Sequence, residues 1–126
     1  MSRFVILLHE TPPAAARATH WDFMLETGNV LRTWALSEEP RIGRRIEAVA
    51  LPDHRLAYLD YEGPVSGNRG TVTRWDAGQY SVEQEAPEHL TLRLHGARLT
   101  CRAEFSRDKS APDVWRVAFT FRGDST

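Results

Sequence analysis

The sequence predicts an all-β fold: a small antiparallel β-barrel of about eight strands, with one or two short helical turns. Three observations lead there. Apolar and polar residues alternate at period two along much of the chain, turn residues interrupt the alternation at short intervals, and helix-like stretches are few and broken by proline or glycine. The 126 residues suffice for one domain, 1–126, and would leave a second too small to bury its own core. A barrel is preferred to a sandwich because closure removes the edge strands.

The first extended run covers residues 4–9 and is apolar from Phe4 to Leu8. After it, Pro12-Pro13 and Ala14-Ala15-Ala16 in residues 11–19 suit one helical turn. Residues 20–26 and 30–36 form the next two strands, with Gly28-Asn29 as their hairpin turn. Residues 38–45 suggest a second helical turn, interrupted by Pro40 and Gly43, and residues 55–61 look extended. Residues 63–70 read as a long, glycine-rich hairpin connection. No helix follows them, so they are not a phosphate-binding P-loop. Val72 and Arg74 lie in a short strand that an Asp76-Ala77-Gly78 turn closes before a strand at 80–82. Leu90, Leu92 and Leu94, then Ala97, Leu99, Cys101, Ala103 and Phe105, alternate inward on two runs that meet at Gly96 as a hairpin. Residues 106–113 read as an exposed loop, Trp115 to Phe121 as the last strand, and residues 123–126 as a frayed end.

Composition narrows the function. Sixteen basic residues against 17 acidic ones exclude the cationic coat that grips long nucleic acid through many phosphates. The single cysteine excludes an internal disulfide and points to a reducing, cytoplasmic setting; its inward place argues against a catalytic thiol. The longest apolar run is far short of the ~20 residues of a membrane helix, so no membrane partner is expected. No export signal opens the chain. Arg93, Arg98 and Arg102 on one solvated face read as barrel exterior, and the four tryptophans as core or girdle residues.

The chemistry concentrates in two clusters. In His20-Trp21-Asp22-Phe23-Met24-Leu25-Glu26, a strand places His20, Asp22, Met24 and Glu26 on one face, so an imidazole and a carboxylate can share a divalent ion. His9, at the mouth of the first strand, would complete a two-histidine, one-carboxylate set; equally, it reads as a strand terminus bonded to the following loop. In the second cluster, Asp53-His54-Arg55-Leu56-Ala57-Tyr58, an extended chain holds His54 and Tyr58 about 13 Å apart. They would flank one oxyanion only if a bend or bulge joined them. Pro52-Asp53 suggests a turn.

Together, Phe4-Val5-Ile6-Leu7-Leu8-His9, His20-Trp21-Asp22-Phe23-Met24-Leu25-Glu26, Val30-Leu31-Arg32-Thr33-Trp34-Ala35-Leu36, Asp53-His54-Arg55-Leu56-Ala57-Tyr58, Asp60-Tyr61-Glu62-Gly63, Gly70-Thr71-Val72, Trp75-Asp76 and Leu92-Arg93-Leu94-His95-Gly96 resemble, in order, the 3′-phosphoesterase domain of bacterial DNA ligase D. The resemblance implies a small β-barrel enzyme that, with manganese, removes a 3′-phosphate or a 3′-terminal ribonucleotide before ligation in DNA repair. His9, His20 and Asp22 would be the metal ligands, and His54 and Tyr58 would hold or polarise the phosphate. It also implies weak, end-limited contact with nucleic acid and, for a free-standing module, separate ligase or polymerase partners. Three positions depart from the family pattern: Met24 replaces an arginine, Glu38 a lysine and Pro52 a glutamate. His9 and His20 bracket ten residues, about twice the family spacing, and the 63–70 connection is shorter. Arg17, Arg32 and Arg69 are the candidate compensating cations. The alternatives are a non-catalytic barrel that binds metal or a nucleic-acid end, and a phosphoesterase with another substrate.

Overall fold

The computed structural model describes residues 2–121; the expected frayed end at 123–126 lies outside the described residues. The strands are β1 (Ser2–Glu10), β2 (His20–Thr27), β3 (Val30–Leu36), β4 (Arg45–Arg55), β5 (Gly63–Pro64), β6 (Thr71–Ala86), β7 (His89–Gly96), β8 (Thr100–Arg107) and β9 (Val114–Thr120). All strand pairings are antiparallel, in the order β1-β2-β3-β4-β9-β8-β7-β6-β5, and β1 also pairs with β6. Eight strands therefore close into a barrel, and β5 adds a short flap to β6. No helix among the described residues is long and apolar enough to cross a membrane.

The interior follows the alternation. Phe4 and Ile6 of β1, Phe23 and Leu25 of β2, Trp34 and Leu36 of β3, and the leucines of β7 fill it, with Phe105, Trp115 and Phe119 closing the packing. Cys101 sits among them, and burial, reinforced by the Asp76 charge, pushes its thiol up to about 11, which leaves it inert. The unbroken apolar run of β1 has a second cause. Val5 and Leu7 face outward, where they pack with Met24, Leu31 and Val72 beneath Leu59 and Val65 of the segment after β4. Each such buried side chain contributes about 1.5–3 kcal/mol, so this outer layer anchors the segment to the barrel wall.

Several expectations are corrected. Residues 55–61 are not a strand: β4 ends at Arg55, and Leu56–Leu59 form a 3-10 turn, the sole helical element among the described residues. The expected turns at 11–19 and 38–45 are irregular loops instead, because proline and glycine break both before a helix can propagate. Pro52-Asp53 is a bulge within β4 rather than a turn: Leu31 pairs with His54 and Thr33 with Leu51. Proline suits that place, since it has no N–H for the ladder. β6 is one 16-residue strand rather than two short ones. Ile6 pairs with Asp76 and Leu7 with Arg74, leaving Trp75 as a bulge residue that bends the strand round the barrel.

That bulge points Asp76 inward. Its buried carboxylate accepts hydrogen bonds from the backbone N–H groups of Ala77, Arg98 and Leu99, each 2.9 Å long, and so caps the β7–β8 turn. Gly96 lies against it: an added Cβ would come within 2.5 Å of the carboxylate and 2.7 Å of the Phe4 ring. Asp76→Ala leaves these N–H groups without their acceptor and should lower unfolding stability by about 3 kcal/mol in urea denaturation. A loss below about 1 kcal/mol would contradict this role.

Candidate metal centre and phosphate site

The site lies on the outer wall of the barrel, where β1 and β2 meet the loops at their ends. His9 pairs directly with His20 across these strands, and Asp22 stands diagonal to His9 on the same face. Their rings are 4.7 Å apart between centroids. Asp22 is buried between them: Oδ2 is 3.2 Å from His9 Nδ1, and Oδ1 is 3.0 Å from His20 Nε2.

Backbone carbonyls fix both imidazoles. His20 Nδ1 donates to the Ala18 carbonyl at 2.8 Å, and His9 Nε2 donates to the Arg69 carbonyl at 2.8 Å. A carbonyl only accepts, so these nitrogens carry protons, and His9 Nδ1 and His20 Nε2 are the nitrogens turned to Asp22. Two loops deliver the carbonyls. The Thr11 N–H bonds the Thr19 hydroxyl and draws the 11–19 loop closed beside His20. Gly70, at φ 96°, lets the 63–70 connection touch the end of β1, where an added Cβ would come within 1.9 Å of the Glu10 carbonyl oxygen.

The donor set fits a divalent ion. Candidate ligand atoms of His9, His20 and Asp22 all lie within 4.8 Å of one another. Asp22 Oδ1, despite its nearness to His20, is out of line for a hydrogen bond and has no such partner among the described residues. A buried carboxylate between two imidazoles suits a positive charge beside it, a proton or a divalent ion. The hydrogen bond to Asp22 holds His9 above the ordinary histidine value against burial, with help from the Arg69 carbonyl. Burial pushes the Asp22 carboxyl up, but the His20 and His9 imidazoles outweigh it and keep the group below the usual aspartate range.

His54 and Tyr58 adjoin this cluster. The bulge at Pro52-Asp53 and the 3-10 turn supply the bend that an extended chain lacks, and bring the two rings to 5.8 Å. His54 Nδ1 donates to the Pro52 carbonyl at 2.8 Å, leaving Nε2 free. A cavity of about 240 Å³ joins His54 and Tyr58 to His9, Asp22 and the buried Met24. A second, of about 440 Å³, runs past the opposite side of the cluster along His20, Ala15 and Arg17.

The expected cations are placed differently. Arg69 borders both cavities, but its guanidinium bonds the Ser66 carbonyl at 2.7 Å and hydroxyl at 3.2 Å. Arg17 lines only the second. Arg32 is not brought to the cluster: it packs over Trp34 and Trp115 beside Glu85, at a separate cavity. Glu38 pairs with Arg44 on the surface. The arginines of the β7–β8 face are likewise engaged, Arg93 and Arg102 by Glu83 and Arg98 by Glu39 and the Trp75 ring. Arg55, which sequence reasoning passed over, lines the first cavity.

The chain is thus an eight-stranded barrel whose outer wall carries two histidines and a carboxylate, a donor set of the kind that can hold a divalent ion, beside a cavity. Residues 13–107 match the DNA Ligase D 3'-phosphoesterase domain, and the chain belongs to that family. The multifunctional non-homologous end joining protein LigD of Pseudomonas aeruginosa is 32% identical over 97 residues, covering 69% of this chain and 12% of that protein. LigD proteins of Mycobacterium bovis and Mycobacterium tuberculosis are 32% identical over 121 residues, covering 89% of this chain. The chain thus spans 12–15% of the length of these relatives. The family match contains His20, Asp22, His54 and Tyr58 but begins after His9, which geometry joins to them.

The Asp22 hydrogen bond favours the protonated form of His9, and an ion bound at Nδ1 would displace that proton. Manganese binding by calorimetry should release protons, and affinity should fall as pH drops, by up to about tenfold per unit where one proton is exchanged. Affinity independent of pH would contradict His9 as a ligand.

Proposed function

We propose that this chain is a divalent-metal-dependent phosphoesterase that removes a 3′-phosphate or a 3′-terminal ribonucleotide from DNA or RNA ends during repair. The observation that carries the proposal is the convergence of His9 and Asp22, clustered with His20, on one cavity with His54 and Tyr58. The three ligands would hold manganese, which when bound supplies charge neutralisation at a phosphoryl oxygen and activation of water.

The protein groups divide the remaining work. The Pro52 carbonyl fixes the His54 ring, so a proton on Nε2 can be passed to a leaving oxygen. The Tyr58 hydroxyl donates to a phosphoryl oxygen. Met24, Val65 and Val72 form an apolar wall that displaces water from one side of the cavity. The second cavity takes the nucleotide on the other side of the scissile bond, with Arg17 near an adjoining phosphate. Contact is confined to one strand end, in keeping with a net charge of −1. A ligase or polymerase activity would then use the cleaned end.

Met24 favours a second reading, a non-catalytic barrel that binds metal or a nucleic-acid end. It is wholly buried in the outer apolar layer, where a thioether offers no grip on phosphate.

End-labelled DNA carrying a 3′-phosphate or 3′-ribonucleotide, incubated with each divalent metal in turn, separates the readings. The wild type should process the end in manganese. His20→Ala and Asp22→Ala should fall to background, and Tyr58→Phe should lose about tenfold, the worth of one hydrogen bond. Equal activity of His20→Ala and wild type would overturn the phosphoesterase assignment. An inert wild type that binds manganese, with turnover gained by Met24→Arg, would establish the binding barrel.

A further inference from the structure

We infer that Arg55 grips the phosphoryl group in the cavity beside the metal cluster, an assignment that rests on the phosphoester-site reading above. The inference comes from how β4 ends. In an extended chain Arg55 would point away from His54 and Tyr58. Here Arg55 is the extended residue that enters the 3-10 turn, at φ −74° and ψ 145°. Such a turn has three residues per revolution, so side chains three apart eclipse, and Arg55 falls on the same side as Tyr58. Both border the 240 Å³ cavity that contains His9, Asp22 and His54, and both border the adjoining cavity next to Tyr61.

The charge balance of the cavity selects Arg55. Among the described residues that line it, the permanent cations are Arg55 and Arg69. Arg69 spends two guanidinium nitrogens on Ser66, within its own loop. Arg55 is exposed and has no hydrogen-bond, ion-pair or ring partner among the described residues. Neighbouring carboxylates do not claim it: Asp60 pairs with Arg3, Glu62 accepts the Arg74 N–H, and Asp53 lines the cavity without an ion pair to Arg55. The guanidinium therefore keeps its planar fork free for two oxygens of a phosphate monoester. The apolar Met24 wall beside it lowers competition from water for that contact.

Arg55→Ala and Arg55→Lys test this in the 126-residue chain loaded with manganese, with inorganic phosphate as the probe. Arg55 is exposed and unpaired, so metal affinity should stay unchanged in both variants. Phosphate affinity should fall about tenfold to a hundredfold in Arg55→Ala and recover in part in Arg55→Lys. On 3′-phosphate ends the loss should fall mainly on KM, and millimolar guanidinium ion should restore part of the Arg55→Ala activity, which a merely structural role would not allow. Phosphate binding by Arg55→Ala equal to wild type, or none by the wild type, would overturn the inference. Arg55-dependent phosphate binding without turnover on any 3′ end would overturn the enzymatic reading and leave the Arg55 assignment standing.

Discussion

The site depends on one buried carboxylate. Asp22 is 2% exposed, lies between two imidazoles, and keeps its negative charge although burial opposes it. A charge in that position is tolerated only with a compensating positive one, whether a proton on His9 or a metal ion. The Ala18 and Arg69 carbonyls hold the histidines with their other ring nitrogens towards it, in the manner by which outer hydrogen bonds orient metal-binding imidazoles. The 11–19 and 63–70 loops are thus part of the centre, although neither supplies a ligand side chain.

The barrel makes this possible by burying β1 and β2 on both faces. Their inner residues join the core, while Val5, Leu7 and Met24 support Leu59 and Val65 from outside. That second layer fixes the segment after β4, which carries Tyr58, and the connection that brings Arg69 to His9. Two bulges then adjust direction. One at Pro52-Asp53 turns His54 towards the cluster, and one at Trp75 turns Asp76 into the core, where it caps the β7–β8 turn.

Alternation made much of the fold legible. The inward leucines of β7, the turn at Gly28 and the shared face of His20 and Asp22 all follow from a two-residue period. The same rule misplaced what departs from it. Reading 55–61 as extended put Arg55 on the wrong side and His54 far from Tyr58, because nothing in the local pattern marks a four-residue 3-10 turn held by tertiary packing. Dividing β6 at Asp76-Ala77-Gly78 mistook residues that suit a tight turn for one; Gly78 lies against the His95 carbonyl, where an added Cβ would come within 2.0 Å. His9 was open on spacing alone, and its register opposite His20 resolves its place. Arg32 shares a strand with residues near the site but points to another mouth of the barrel, a distinction that proximity in sequence does not carry.

In the proposed centre two histidines and one carboxylate bind the same ion. Pulsed electron paramagnetic resonance of the manganese-loaded protein reads this directly, through hyperfine coupling to ligand nitrogens. The wild type should show two histidine nitrogens, and His9→Ala and His20→Ala one each. Manganese bound without nitrogen coupling, or coupling unaffected by either substitution, would contradict the metal centre on which the account rests.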